Sequence, residues 1–153
     1  MTSSDNLPGG PHIAAAMLCD RVLQEKDGVL SLIRMVDRFV RPRPTPQIPP
    51  QPIQVNLVIS LKAGGVTTGS YKIKLRVFKP NTTAPAAEME PEAFFEGGED
   101  RGVNIVVPFL MLAEEDGVYW IDVLFENQLL TKIPFRVILV ANPTQPSKPQ
   151  PGA

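Results

Sequence analysis

The sequence predicts an all-β chain, an immunoglobulin-like antiparallel β-sandwich of seven to eight strands. Three observations carry that expectation. Apolar residues recur at every second position along most of the chain, and no segment shows a helical stripe. Turn residues punctuate the chain at short intervals. Two late strand-like runs each contain a proline, which sheets tolerate at edges and bulges. The chain has 153 residues, enough for a single domain. A domain of that size buries about 68–70% of its unfolded surface and needs no disulfide or metal to fold.

The clearest alternation is at 53–62, IQVNLVISLK. Ile53, Val55, Leu57, Ile59 and Leu61 share one face, while Gln54, Asn56, Ser60 and Lys62 share the other. Such a strand has one face on a core and one in water. Ala63-Gly64-Gly65 then turns the chain into 70–79, SYKIKLRVFK. There Tyr71, Ile73, Leu75 and Val77 point inward, and Lys72, Lys74 and Arg76 point outward. The two runs are expected to form a hairpin.

An earlier pair, 13–23 and 29–40, flanks a turn at Asp27-Gly28, where glycine accepts the positive φ of a hairpin. Residues 29–40 are apolar on both faces, which suggests a central strand or one covered by a partner. Residues 41–52, RPRPTPQIPPQP, hold six prolines and are expected to cross between the sheets as an extended connector. A short strand is expected within 93–96, then strands at 103–112, 118–126 and 129–140, the last two closing as a hairpin at Asn127-Gln128. Pro108 and Pro134 mark edges or irregularities. The organisation expected is a flexible N-terminus over 1–12, a single domain over 13–140 and a disordered proline-rich tail over 141–153.

Glu115, Gly117 and Tyr119 stand at two-residue steps before the penultimate strand. This spacing fits a tyrosine corner, in which the hydroxyl bonds back to the preceding backbone. Gly117, Tyr119 and Gly28 are therefore structural. Cys19-Asp20, Asp27-Gly28-Val29-Leu30-Ser31-Leu32-Ile33, the proline-rich crossover, Gly117-Val118-Tyr119 and Pro134-Phe135-Arg136-Val137 together resemble a bacterial family of small β-sandwich proteins catalogued only as a domain of unknown function. The resemblance spans about residues 13–140 and implies a β-sandwich with no assigned activity.

Chemistry-bearing residues are scarce. There is one His and one Cys, against the four ligands of a usual zinc site. A Cys19 nucleophile needs a base, and His12 lies about 23 Å away along one extended strand. No catalytic residue, cofactor or metal site is expected. Glu96, Glu99 and Asp100 are the weak candidates for calcium, without EF-hand spacing. Lys72, Lys74 and Arg76 form a charged face, but pairing with acidic neighbours accounts for it better than phosphate binding does. The first part of the chain is basic: residues 21–79 hold 11 Lys/Arg and 3 Asp/Glu. Residues 80–126 reverse this, with one Arg and 11 Asp/Glu. Interleaved strands would neutralise that split.

Trp120, Leu124 and Phe78 fall out of phase with the core and are candidate interface residues. The expected function is a non-catalytic interaction or assembly module that self-associates, with no nucleic-acid or membrane partner. The alternative is a ligand-binding module that grips a sugar or calcium through its end loops. No basic start followed by an apolar run marks a secretory signal, and a lone cysteine fits a reducing compartment, so the cytoplasm is expected.

Overall fold

The computed structural model describes residues 9–98 and 100–141. Ten strands follow in chain order: β1 (His12–Gln24), β2 (Leu30–Met35), β3 (Arg38–Pro42), β4 (Pro52–Lys62), β5 (Gly69–Phe78), β6 (Ala87–Met89), β7 (Glu92–Phe95), β8 (Gly102–Leu112), β9 (Gly117–Phe125) and β10 (Gln128–Val140). They form a smaller sheet, ordered β2-β1-β4-β8, and a larger one, ordered β3-β10-β9-β5-β6, with β7 also paired to β5. The two sheets close over one apolar layer as a β-sandwich. Among the described residues no helix is long and apolar enough to cross a membrane.

The strand count exceeds the expected seven to eight, because the run at 29–40 is two strands and a short strand, β6, precedes the one expected within 93–96. It breaks at Val36-Asp37. β2 stays beside β1 in the smaller sheet, while β3 runs parallel to β10 in the larger. The sandwich is therefore not wholly antiparallel. Arg34 takes a left-handed φ of 56° just before the break. The inward residues change parity across it, from Leu32 to Phe39. That change explains why the run is apolar on both faces. It is not a central strand, since β2 and β3 each lie at a sheet edge.

The expected hairpin between 53–62 and 70–79 does not form. β4 pairs with β1 and β8, and β5 pairs with β9, β6 and β7. The segment between them arches from one sheet to the other. Alternation shows which face is buried, but two inward faces can lie across the core as readily as side by side. The arch is fixed against the N-terminal segment, where Gly9 packs on Gly65 so closely that an added Cβ would lie 3.0 Å from its Cα. Pro11 is buried and His12 opens β1. Residues 9–12 are thus part of the fold and not the flexible N-terminus expected.

Other expectations hold. Gly28 turns β1 into β2 with φ 85°. The last hairpin also forms, but its turn sits one residue earlier than expected: Glu126 and Asn127, both at positive φ, make the type I′ turn, and Gln128 already pairs with Phe125 in β10. The proline-rich stretch carries the chain from β3 in one sheet to β4 in the other. Pro108 lies on edge strand β8. Pro134 lies on β10 just before its pairing with β3 begins at Arg136, so no ladder bond is lost on that side. The expected proline-rich tail, apart from Ala141, lies outside the described residues.

Aromatic rings tie the layers together. Phe135 of β10 stacks on Tyr119 at 5.1 Å and meets Phe39 and Phe109 edge-on at 5.8 Å each. The Tyr119 hydroxyl donates to the Glu115 carbonyl at 2.9 Å, which closes the corner. Gly117 holds φ 136° there, and an added Cβ would meet Pro80 at 2.9 Å. Asp116 completes the corner by accepting the Leu139 amide at 2.8 Å.

Two outcomes follow at this corner. Tyr119→Phe keeps the ring and loses the bond to Glu115, so it should cost about 1 kcal/mol, read from the urea midpoint. Burial holds the Tyr119 phenol above its ordinary range. Its folded pKa exceeds its unfolded one, so the associated stability is present below about pH 10 and is lost as pH rises beyond it. The alkaline loss of stability should therefore be smaller in Tyr119→Phe than in the parent chain.

Candidate functional site

The two sheets present opposite kinds of outer surface, and strand register explains both. On the larger sheet, Glu88 of β6 stands beside Arg76 of β5, Arg76 beside Asp122 of β9, and Asp122 beside Lys132 of β10. Charge alternates along this row. Arg76 Nε lies 3.0 Å from Glu88, and Lys132 Nζ lies 3.4 Å from Asp122. Neither Arg76 Nε nor Asp122 Oδ1 makes an aligned hydrogen bond, so charge and not directed donation holds the row together. A neighbouring contact joins Lys74 to Glu90 at 3.7 Å. Lys79 reaches Glu114 at 3.3 Å across the sandwich end. Lys74, Arg76 and Lys79 thus pair with acidic residues from the later part of the chain, so interleaving neutralises part of the charge split. Lys72 is exposed and lies in register with Glu92.

The three interface candidates lie on this same outer face but do not form one exposed patch. Trp120 is 39% exposed and sits between Phe78, half-buried, and Pro134. Lys132 Nζ lies 5.7 Å from the centroid of its ring, a cation–π contact. Leu124 is only 7% exposed, which corrects the expectation for it. It occupies a central strand between Lys74 and Leu129, and long neighbours on both flanks cover a side chain there. Beside Trp120 opens a groove of about 650 Å³, formed by the loop after β5 and the turn before β9.

The smaller sheet is different. Val106 of β8, Val58 of β4 and Met17 of β1 form one cross-strand row on its outer face. Pro108, Asn56, Cys19 and Met35 form the next. Leu110, 69% exposed, lies beyond them. Sequence reading missed this face, although the signal was present: residues 103–112 are apolar in both phases, and Val58 interrupts the polar phase of its strand. Cys19 is fully buried on this outer face and is not part of the layer between the sheets. Burial pushes its thiol pKa up, and the neighbouring Asp20 adds to the shift. A thiol so held is a poor nucleophile. His12 is exposed at the opposite end of β1.

Among the described residues no three His, Cys, Asp or Glu side chains converge on a metal position. Of the calcium candidates, Glu96 is paired with Arg101 at 3.3 Å. Asp100 lies in the following turn, and Glu99 is outside the described residues.

The alternating row gives a direct test. Arg76→Met leaves Asp122, whose side chain is 13% exposed, with Lys132 alone. It should cost about 1 to 2 kcal/mol, whereas Lys72→Met, with no ion pair to lose, should fall within about 0.5 kcal/mol, both read by denaturant unfolding.

No curated protein matches the chain. A model of a family of unknown function (DUF6941) matches residues 14–138, from the first strand to the last. The matched region takes in both sheets, the tyrosine corner and both outer faces, and well over half of the sequence, so the chain belongs to this family.

Proposed function

We propose that this protein is a non-catalytic interaction module that self-associates through the outer face of its smaller sheet. The observation that carries the reading is an apolar outer face on which Val106, Pro108 and Leu110 stand exposed and Met17 half-buried around the buried Val58, with exposed Ile33 and Met35 at its margin. Large contiguous apolar patches on soluble proteins mark contact sites. A second copy is the occupant that the chemistry favours. A two-fold contact sets a face against itself, so a charged face repels its own image. The two central rows of this face carry no charge, whereas the larger sheet is crossed by charged rows.

The size also fits. β4 and β8 each run 11 residues. With β1 at 13 residues and the edge strand β2 at only 6, a rise of about 3.3 Å per residue and a strand spacing of about 4.8 Å give a face of roughly 650 Å², against about 800 Å² per partner in a standard interface. Stacked outer faces would bury Leu110 and Met35 as a third apolar layer.

The finer family likeness belongs to the same reading. A tyrosine corner and a first-half strand running parallel to the last support an immunoglobulin-like sandwich. A single buried thiol supports a reducing, cytoplasmic setting.

Light scattering over a wide concentration range should show the mass rising from one copy to two. High salt should leave the dimer intact, because its contact is apolar. Leu110→Lys with Val106→Lys should give a folded monomer, while Trp120→Ser should leave the mass unchanged. A parent chain that stays monomeric at every concentration would sink the reading.

A further inference from the structure

We propose that the groove beside Trp120 binds a neutral saccharide, with the indole as the platform for a sugar ring. This site is on the larger sheet and is independent of self-association through the smaller one. A sugar ring has an apolar C–H face and a rim of hydroxyls that both donate and accept. A site for it needs one exposed aromatic surface and mixed polar groups around it. The groove supplies both. Its lining includes Trp120, Phe78, Asn81, Thr83, Asp116 and Lys132.

The side chains define the ligand class. Asn81 and Thr83 can each donate and accept. Asp116 Oδ2 accepts the Leu139 amide, and the carboxylate has further lone pairs for a ligand hydroxyl. The two lysines at the groove are already balanced, Lys79 by Glu114 and Lys132 by Asp122 and the indole ring. An anion would have to break those pairs, so the groove favours a neutral polyhydroxyl ligand. It also suits a proline-rich peptide poorly, since such peptides dock across several exposed aromatic ridges and here only the Trp120 ring stands exposed. A volume of about 650 Å³ falls within the usual range of small-molecule sites.

Trp120 is the only tryptophan, so intrinsic emission reports this groove alone. The full chain is titrated with cellohexaose, maltohexaose and chitohexaose, followed by emission and by calorimetry. At least one of the three should change the emission saturably. Thr83→Lys fills the groove from an exposed loop and leaves the sheet and the reporter in place. It should weaken binding by about tenfold or more. Trp120→Ala, read by calorimetry, should abolish it. The proposal fails if none of the three saccharides gives a signal, or if binding survives both substitutions. It also fails if a free peptide with the sequence of residues 41–52 changes the emission and no saccharide does.

Discussion

The structure depends on the closure of two sheets over one apolar layer. Ile53, Leu57, Ile59 and Leu61 of β4 are fully buried, as are Tyr119, Ile121 and Val123 of β9, and all seven belong to the same core. Strands that alternate this strictly must put one whole face out of water. With two such strands in different sheets, the sandwich is the arrangement that buries both. The arch after β4 follows from that demand, because it sends β5 over to the sheet that covers β4 from the other side. The Phe135 cluster serves the same closure, joining Phe109 of the smaller sheet to Tyr119 and Phe39 of the larger.

Once the inner faces are committed to each other, function is left to the outer faces. Their difference comes from which strands become neighbours. Bringing β6, β5, β9 and β10 side by side lines up Glu88, Arg76, Asp122 and Lys132, so the larger sheet neutralises itself. Bringing β8, β4 and β1 together lines up Val106, Val58 and Met17, so the smaller sheet stays apolar and uncovered. Polar loops at the sandwich end add a groove to the first surface. One fold therefore presents a flat apolar face and a polar groove around an aromatic ring, and different partners suit each.

Local chemistry made much of this legible. Asp27-Gly28 marked a turn because glycine reaches positive φ without a Cβ clash. The spacing Glu115, Gly117, Tyr119 marked the corner because a hydroxyl at that distance reaches back to a carbonyl four residues earlier. One His and one Cys leave few catalytic options in the chain. Other features left weaker traces. The apolar second phase of 103–112 signalled the smaller sheet's outer face, but it reads equally as a doubly covered strand. Leu124 was assigned by phase alone, and phase does not reveal that neighbours on both sides will cover a residue.

The period, the turns, the buried phase of each strong strand and the break imposed by prolines are local properties, legible in the residues because each rests on positions a few apart. The assignment of β4 and β5 to different sheets, the departure of β3 from β2 to run beside β10, and the meeting of opposite charges from distant segments in one row arise only in the folded chain. Those outcomes depend on which backbone edges pair over long separations. Every strand offers the same amide and carbonyl ladder to any neighbour, so the choice is made by the packing of the whole core and not by the strand's own residues.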